Sequence, residues 1–138
     1  MPTHFVVDFR AEIELLESKD VLTKFLLDAI KLAEMELLAG PYIWDTGFDD
    51  PNPGLTGFVA ITTSHFAIHT FVNQGQAYVD LFSCKEFNLD QMAELINVTF
   101  RPSEVHHQEV ARAPITLAHR DNITPYRPRV QVPRKGRE

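Results

Sequence analysis

Residues 54–84 read GLTGFVAITTSHFAIHTFVNQGQAYVDLFSC, and three alternating runs within them decide the fold. Successive strand residues point to opposite faces. Phe58, Ala60 and Thr62 therefore share one face, and Val59 and Ile61 the other. The same alternation runs through Phe66, Ile68 and Thr70, and again through Tyr78, Asp80 and Phe82. Ser64 falls between the first two runs, where the chain must reverse on Thr-Thr-Ser-His with neither Gly nor Pro. That is poor turn chemistry, and a local rule broken at one point marks a functional or strained site.

Outward from this stretch the periodicity changes. Residues 3–11 alternate as a strand. Leu22, Phe25, Leu26, Ala29, Ile30, Ala33 and Leu37 recur at helical spacing, and Gly40-Pro41 reads as the stop. Strands are expected near 42–46, 55–63, 65–71 and 76–84. Asn88 and Gln91 form a capping pattern for a helix bearing Met92, Leu95 and Ile96. A last strand falls near 104–112. The order, β-α-β-β-β-α-β in outline, predicts an α+β two-layer sandwich, an antiparallel sheet with two helices on one face.

The chain of 138 residues suffices for one domain with its own core. Its apolar content of 44% and mean hydropathy of −0.15 describe a globular protein. No apolar run approaches the ~20 residues that cross a bilayer, so no membrane partner is expected. A lone Cys without an export signal fits a cytoplasmic location. Charge is uneven: residues 1–111 hold six of the thirteen Lys/Arg but seventeen of the nineteen Asp/Glu. Such an acidic body disfavours nucleic acid and suits a small cationic substrate. Residues 113–138, with Pro114, Pro125, Pro128 and Pro133, read as a Pro/Arg-rich extended tail on a domain spanning 1–112.

Taken singly, the polar residues of the central stretch have bland readings. Ser64 is a turn residue, His69 a hydrogen-bonded core histidine, Cys84 a small buried hydrophobe, and Thr56 an ordinary strand residue. Metal binding fares worse. On a strand, His65 and His69 lie about 13 Å apart, too far to share a zinc whose nitrogen ligands sit near ~2 Å. His106 and His107 point to opposite faces, and one Cys makes neither a zinc cluster nor an internal disulfide.

Taken together, these residues form a pattern. Gly54-Leu55-Thr56-Gly57, Thr63-Ser64-His65, Ile68-His69-Thr70 and Asp80-Leu81-Phe82-Ser83-Cys84, with the opening His4-Phe5-Val6-Val7-Asp8-Phe9, resemble the short prokaryotic type of S-adenosylmethionine decarboxylase. That family comprises pyruvoyl enzymes of polyamine (spermidine) synthesis, made as self-cleaving proenzymes. The resemblance covers roughly residues 3–112. It implies that Ser64 attacks the preceding carbonyl, that the chain breaks between Thr63 and Ser64, and that Ser64 becomes the pyruvoyl cofactor. That group would form a Schiff base with the substrate amine and act as electron sink. On the same resemblance His69 and Thr56 assist self-cleavage, and Cys84 is the general acid that reprotonates the carbanion.

The chain also departs from that pattern. Thr63 stands where Glu is usual before the serine. Phe71-Val72-Asn73-Gln74-Gly75 replaces Trp-Pro-Glu-Tyr-Gly, so Asn73 takes the place of a substrate-binding carboxylate. Asp50 aligns with an aromatic expected to stack on adenine, a part that Phe48 would take if the loop shifts by two. A carboxylate there suits a substrate with a terminal cation, such as ornithine or arginine. A non-processing regulatory homologue is a further alternative. The family also implies a homodimer with a shared active site. The sheet's second face, expected to be apolar through Phe58, Phe66, Ile68, Tyr78 and Phe82, needs a cover, either a second copy or the proline-rich tail folded back to leave a monomer.

Overall fold

The computed structural model describes residues 2–46 and 51–113. Six strands form one antiparallel sheet: β1 (Thr3–Arg10), β2 (Leu37–Asp45), β3 (Leu55–Ile61), β4 (Ser64–Phe71), β5 (Gln76–Ser83) and β6 (Glu104–Glu109). Their spatial order is β2-β3-β4-β5-β1-β6, so β4 and β5 lie at the centre. A short α1 (Ile13–Leu16) and a longer α2 (Lys19–Leu32) follow β1, and α3 (Leu89–Phe100) precedes β6. The two-layer α+β class is as expected. The run of strands between α2 and α3 has the four members expected near 42–46, 55–63, 65–71 and 76–84, although the outline order counts three, and α1 was not anticipated.

The helices cover one face. From α2 come Leu22, Phe25, Leu26, Ala29 and Ile30, and from α3 Met92, Ile96 and Phe100. They pack on Phe5, Val7, Phe9, Val59, Ile61, Phe66, Ile68, Val79 and Leu81. Ser18 and Asn88 cap α2 and α3 by accepting from the N–H groups of Val21 and Gln91, each cap contributing about 1 kcal/mol.

The helix does not stop at Gly40-Pro41. Its end is a Schellman turn at Glu34, which takes φ +56°. There Met35 N–H reaches the Ile30 carbonyl and Glu34 N–H that of Lys31. No Gly announces this stop, so the periodicity ran on to Leu37, which instead opens β2. Gly40-Pro41 lies where the β2–β3 register shifts between Ala39 and Tyr42.

The second face also needs correction. Phe58 is opposite Ala67, while Phe66 is opposite Val59. Phe66 and Ile68 therefore point into the helical core, not outward with Phe58. The face left uncovered among the described residues carries Phe58, Phe71, Tyr78 and Phe82, joined from β2 by Tyr42 and Trp44, both about half exposed. Polar groups interrupt it: His4, Thr56, His65, His69 and Asp80. His4 Nε2 lies 3.0 Å from Asp80 Oδ1, and His65 stacks on Phe58 at 5.7 Å between centroids.

Two glycines shape the approach to Thr56. A Cβ on Gly54 would fall 1.8 Å from the Thr70 carbonyl oxygen, and one on Gly57 would press on Ile68, Ile43 and Leu26. Backbone contact at the first and helix packing at the second leave room for hydrogen only.

Candidate active site

The β3–β4 connection is a two-residue turn, Thr62-Thr63, with Ile61 opposite Ser64. Neither residue suits the conformations that such hairpins favour, and the distortion emerges one position later. Ser64 has φ +154°, a value uncommon for any residue with a Cβ. Non-glycine backbone held this way costs on the order of 1–3 kcal/mol and clusters at reactive sites.

Around that residue two strand ends converge. Ser64 opens β4, and Cys84 is the first residue beyond β5, whose Ser83 is opposite Ser64. The Ser64 Oγ and Cys84 Sγ lie 3.7 Å apart. Cys84 is exposed rather than buried, so its thiol is open to a ligand at the sheet end. The Cys84 backbone N–H donates to the Thr63 carbonyl oxygen at 2.9 Å. That carbonyl belongs to the peptide bond a Ser64 hydroxyl would attack. A donor already aimed at its oxygen is placed to stabilise the charge that develops there.

A second pair lies elsewhere on the same strand. Thr56 and His69 are opposite one another on β3 and β4, with Thr56 Oγ1 3.2 Å from His69 Nδ1. His69 is exposed on the uncovered face, not a core histidine. Five residues of β4 separate it from Ser64, about 16 Å at roughly 3.3 Å per residue. The fold thus joins Ser64 to Cys84 and Thr56 to His69, but does not join the pairs within one chain.

Asn73 is more distant still. It is exposed in a single 3-10 turn, Val72–Gln74, beyond the far end of β4, and lines a cleft with Arg10, Glu12 and Arg101. Phe48 and Asp50 lie outside the described residues, as does the tail from Pro114 onward. Among the described residues no group of three or more His, Cys, Asp or Glu could hold a metal ion, and no helix is long and apolar enough to cross a membrane.

Thr70, next to His69, has a structural duty. Its buried hydroxyl accepts from Leu55 N–H at 3.0 Å and donates to the Leu16 carbonyl at 2.8 Å, tying α1 to the centre of the sheet. The sequence reading overlooked Ser83 and Met35, which lie beneath the turn. Ser83 is completely buried, with its Oγ 2.7 Å from Thr63 Oγ1. The available signal was a hydroxyl on the core face of β5, where alternation from Val79 and Leu81 places residue 83.

Comparison with known proteins gives this arrangement a relation. A family model described as S-adenosylmethionine decarboxylase matches residues 3–113. The chain is 27% identical to the S-adenosylmethionine decarboxylase proenzyme of Thermococcus kodakarensis over 111 residues, covering 79% of this chain and 74% of that protein. It is 35% identical to the proenzyme of Moorella thermoacetica over 86 residues, covering 61% and 69%. The fold matches the crystal structure of the adenosylmethionine decarboxylase from Aquifex aeolicus with a TM-score of 0.67. That match has 21% identity and covers 85% of this chain and 94% of the other. The chain belongs to the S-adenosylmethionine decarboxylase family of carboxy-lyases.

Proposed function

We propose that this protein is a proenzyme that cleaves itself between Thr63 and Ser64 and then decarboxylates S-adenosylmethionine for polyamine synthesis. The observation that carries the reading is the convergence at the turn. A backbone outlier places the Ser64 hydroxyl beside the Cys84 thiol, and the Cys84 N–H holds the carbonyl to be attacked. These residues fit a pyruvoyl group derived from Ser64, because the hydroxyl, the carbonyl and a donor to its oxygen occupy one sheet end.

In the first step Ser64 Oγ bonds to the Thr63 carbonyl carbon, and the C–N bond to Ser64 breaks as its nitrogen takes a proton. Loss of the Ser64 Cα proton then expels the Thr63 carboxylate. Tautomerisation, addition of one water and release of ammonia leave a ketone at residue 64. The pyruvoyl carbonyl, once formed, supplies an electron sink for the substrate's amine-bearing carbon. Cys84, exposed at that end, delivers a proton to the substrate carbon once carbon dioxide has left.

His69 and Thr56 assist cleavage in this reading, and their distance from Ser64 calls for a second copy. A homodimer packed through the uncovered faces would bring one chain's His69 and Asn73 toward its partner's Ser64. The exposed aromatics Tyr42, Trp44 and Tyr78 support burial of that face. A cytoplasmic location and a 1–112 domain followed by a tail belong to the same proposal, as do substrate contacts from Phe48 or Asp50.

Intact mass of the purified chain, with carbon dioxide release from S-adenosylmethionine, ornithine and arginine, tests this reading. We expect two fragments, 1–63 and 64–138, the second with a blocked N-terminus, and release from S-adenosylmethionine above the other two. A persistently whole chain without turnover would favour a silent regulatory homologue. Release from ornithine or arginine alone would keep the chemistry and reassign the substrate.

A further inference from the structure

Beneath the β3–β4 turn, three chain segments meet in a small polar knot on the helix side of the sheet. Ser83 Oγ accepts from Lys85 N–H at 3.0 Å and lies 2.7 Å from Thr63 Oγ1. Met35 Sδ is 3.4 Å from Thr63 Oγ1 and 3.7 Å from Ser83 Oγ. Each hydroxyl has one proton to give. If Thr63 donates to Ser83, the Ser83 proton turns to the sulfur; if Ser83 donates to Thr63, the Thr63 proton does. Either way both hydroxyls are satisfied, and the soft sulfur takes the proton left over. The Schellman turn ending α2 places Met35 there, since Met35 is the residue whose N–H closes that turn.

We infer that Ser83 is a positioning residue for the self-cleavage, gripping Thr63 by its side chain while Cys84 grips it by its carbonyl. The inference rests on cleavage at Thr63–Ser64, as proposed above. Ser83 and Cys84 are consecutive, so one strand end holds both handles of the residue whose carbonyl carbon is attacked. Thr63 is β-branched, and a fixed hydroxyl selects one χ1 well. The peptide plane is then held with its oxygen on the Cys84 N–H, leaving the carbonyl carbon to Ser64 Oγ. No Gly or Pro sets this turn, so the hydroxyl pair supplies the constraint that turn chemistry does not.

The test follows formation of fragments 1–63 and 64–138 over time in freshly translated full-length chain, with and without hydroxylamine. Hydroxylamine cuts only a chain that has already moved Thr63 onto the Ser64 oxygen. Ser83→Ala should slow fragment formation by roughly 10–100-fold, the scale of misplacing a reacting group by about 1 Å. It should also lose the hydroxylamine-released fragment, because the grip acts before the ester forms. Ser83→Thr, which keeps the hydroxyl, should recover cleavage. Should Ser83→Ala fail to fold, Thr63→Val removes the other hydroxyl of the pair at a half-buried turn and carries the same expectation. Wild-type cleavage rates in Ser83→Ala or Thr63→Val, or accumulation of the ester in either, would overturn the inference alone. An uncleaved wild-type chain would overturn the proposed function, and this inference with it.

Discussion

At the start of β4, Ser64 departs from ordinary strand geometry, and its neighbours Thr63, Ser83 and Cys84 are tied by short polar contacts. Five residues on, His69 sits in regular strand on an exposed face, hydrogen-bonded to Thr56 directly across the ladder. The first region brings a hydroxyl, a carbonyl held by a backbone donor and a thiol together. The second has an imidazole and a hydroxyl but nothing to attack. A rigid strand fixes their separation, so neither becomes complete by local motion. The difference is one of placement: the sheet holds Ser64 with Cys84 and Thr56 with His69 as two separate groups, which on the proposed reading are two halves of one site.

The largest expected effect is at the first region. Ser64→Ala should abolish both cleavage and decarboxylation, read as a single band of full-length mass and no carbon dioxide release. A cleaved Ser64→Ala chain would place the reactive residue elsewhere. Cys84→Ala should separate the two reactions. It keeps the backbone N–H that holds the Thr63 carbonyl, so cleavage proceeds, while loss of the proton donor slows turnover by about 10²–10⁴-fold. Loss of cleavage together with turnover in this variant would mean that the thiol serves the first reaction too.

The second region depends more on how its strands are seated. Gly54→Ala puts a methyl against the Thr70 carbonyl, and forcing these backbones apart should cost about 3 kcal/mol. A thermal melt several degrees lower, with less cleaved chain, is the expected result; an unchanged melt would show that the β3 entry is loose. The smallest effect lies at the sheet edge, away from both regions. The His106 hydrogen bond at 2.6 Å, with the charge of that ring, holds the Glu104 carboxyl below its usual range. A depressed folded-state value stabilises above the ordinary Glu range and is lost as pH falls through the lowered one. Both groups are exposed, so screening leaves little. Glu104→Gln should shift the melt by about 1 °C or less at neutral pH, and that small difference should vanish in acid.

The two regions were not equally legible in the sequence. Strand alternation placed β3, β4 and β5 nearly to the residue, because their core face is buried along its whole length and a one-residue slip would invert it. The join of Ser64 to Cys84 was legible through the family pattern. It was not derivable from spacing, since the two residues stand twenty apart with two strands and the connection between them in the interval. The apolar second face was misread because register, not alternation within a strand, decides that Phe66 aligns with Val59 and not with Phe58. Glu34 in a left-handed conformation hid the end of α2, and with it the route by which Met35 reaches the turn. Ser83 was quoted as part of a motif but passed over, since its partner Thr63 stands where the family pattern has Glu.

Mixing two crippled chains tests the separation of the half-sites most directly. A His69→Ala chain, intact by itself, is co-expressed with a differently tagged Ser64→Ala chain, and the doubly tagged complex is isolated for intact mass. In that complex one site combines an unaltered Ser64 from the first chain with an unaltered His69 from the second. The account predicts that the His69→Ala chain is then cleaved between Thr63 and Ser64 while its partner stays whole. A mixed complex that forms and leaves the His69→Ala chain intact would contradict it, and would require His69 to serve the Ser64 of its own chain.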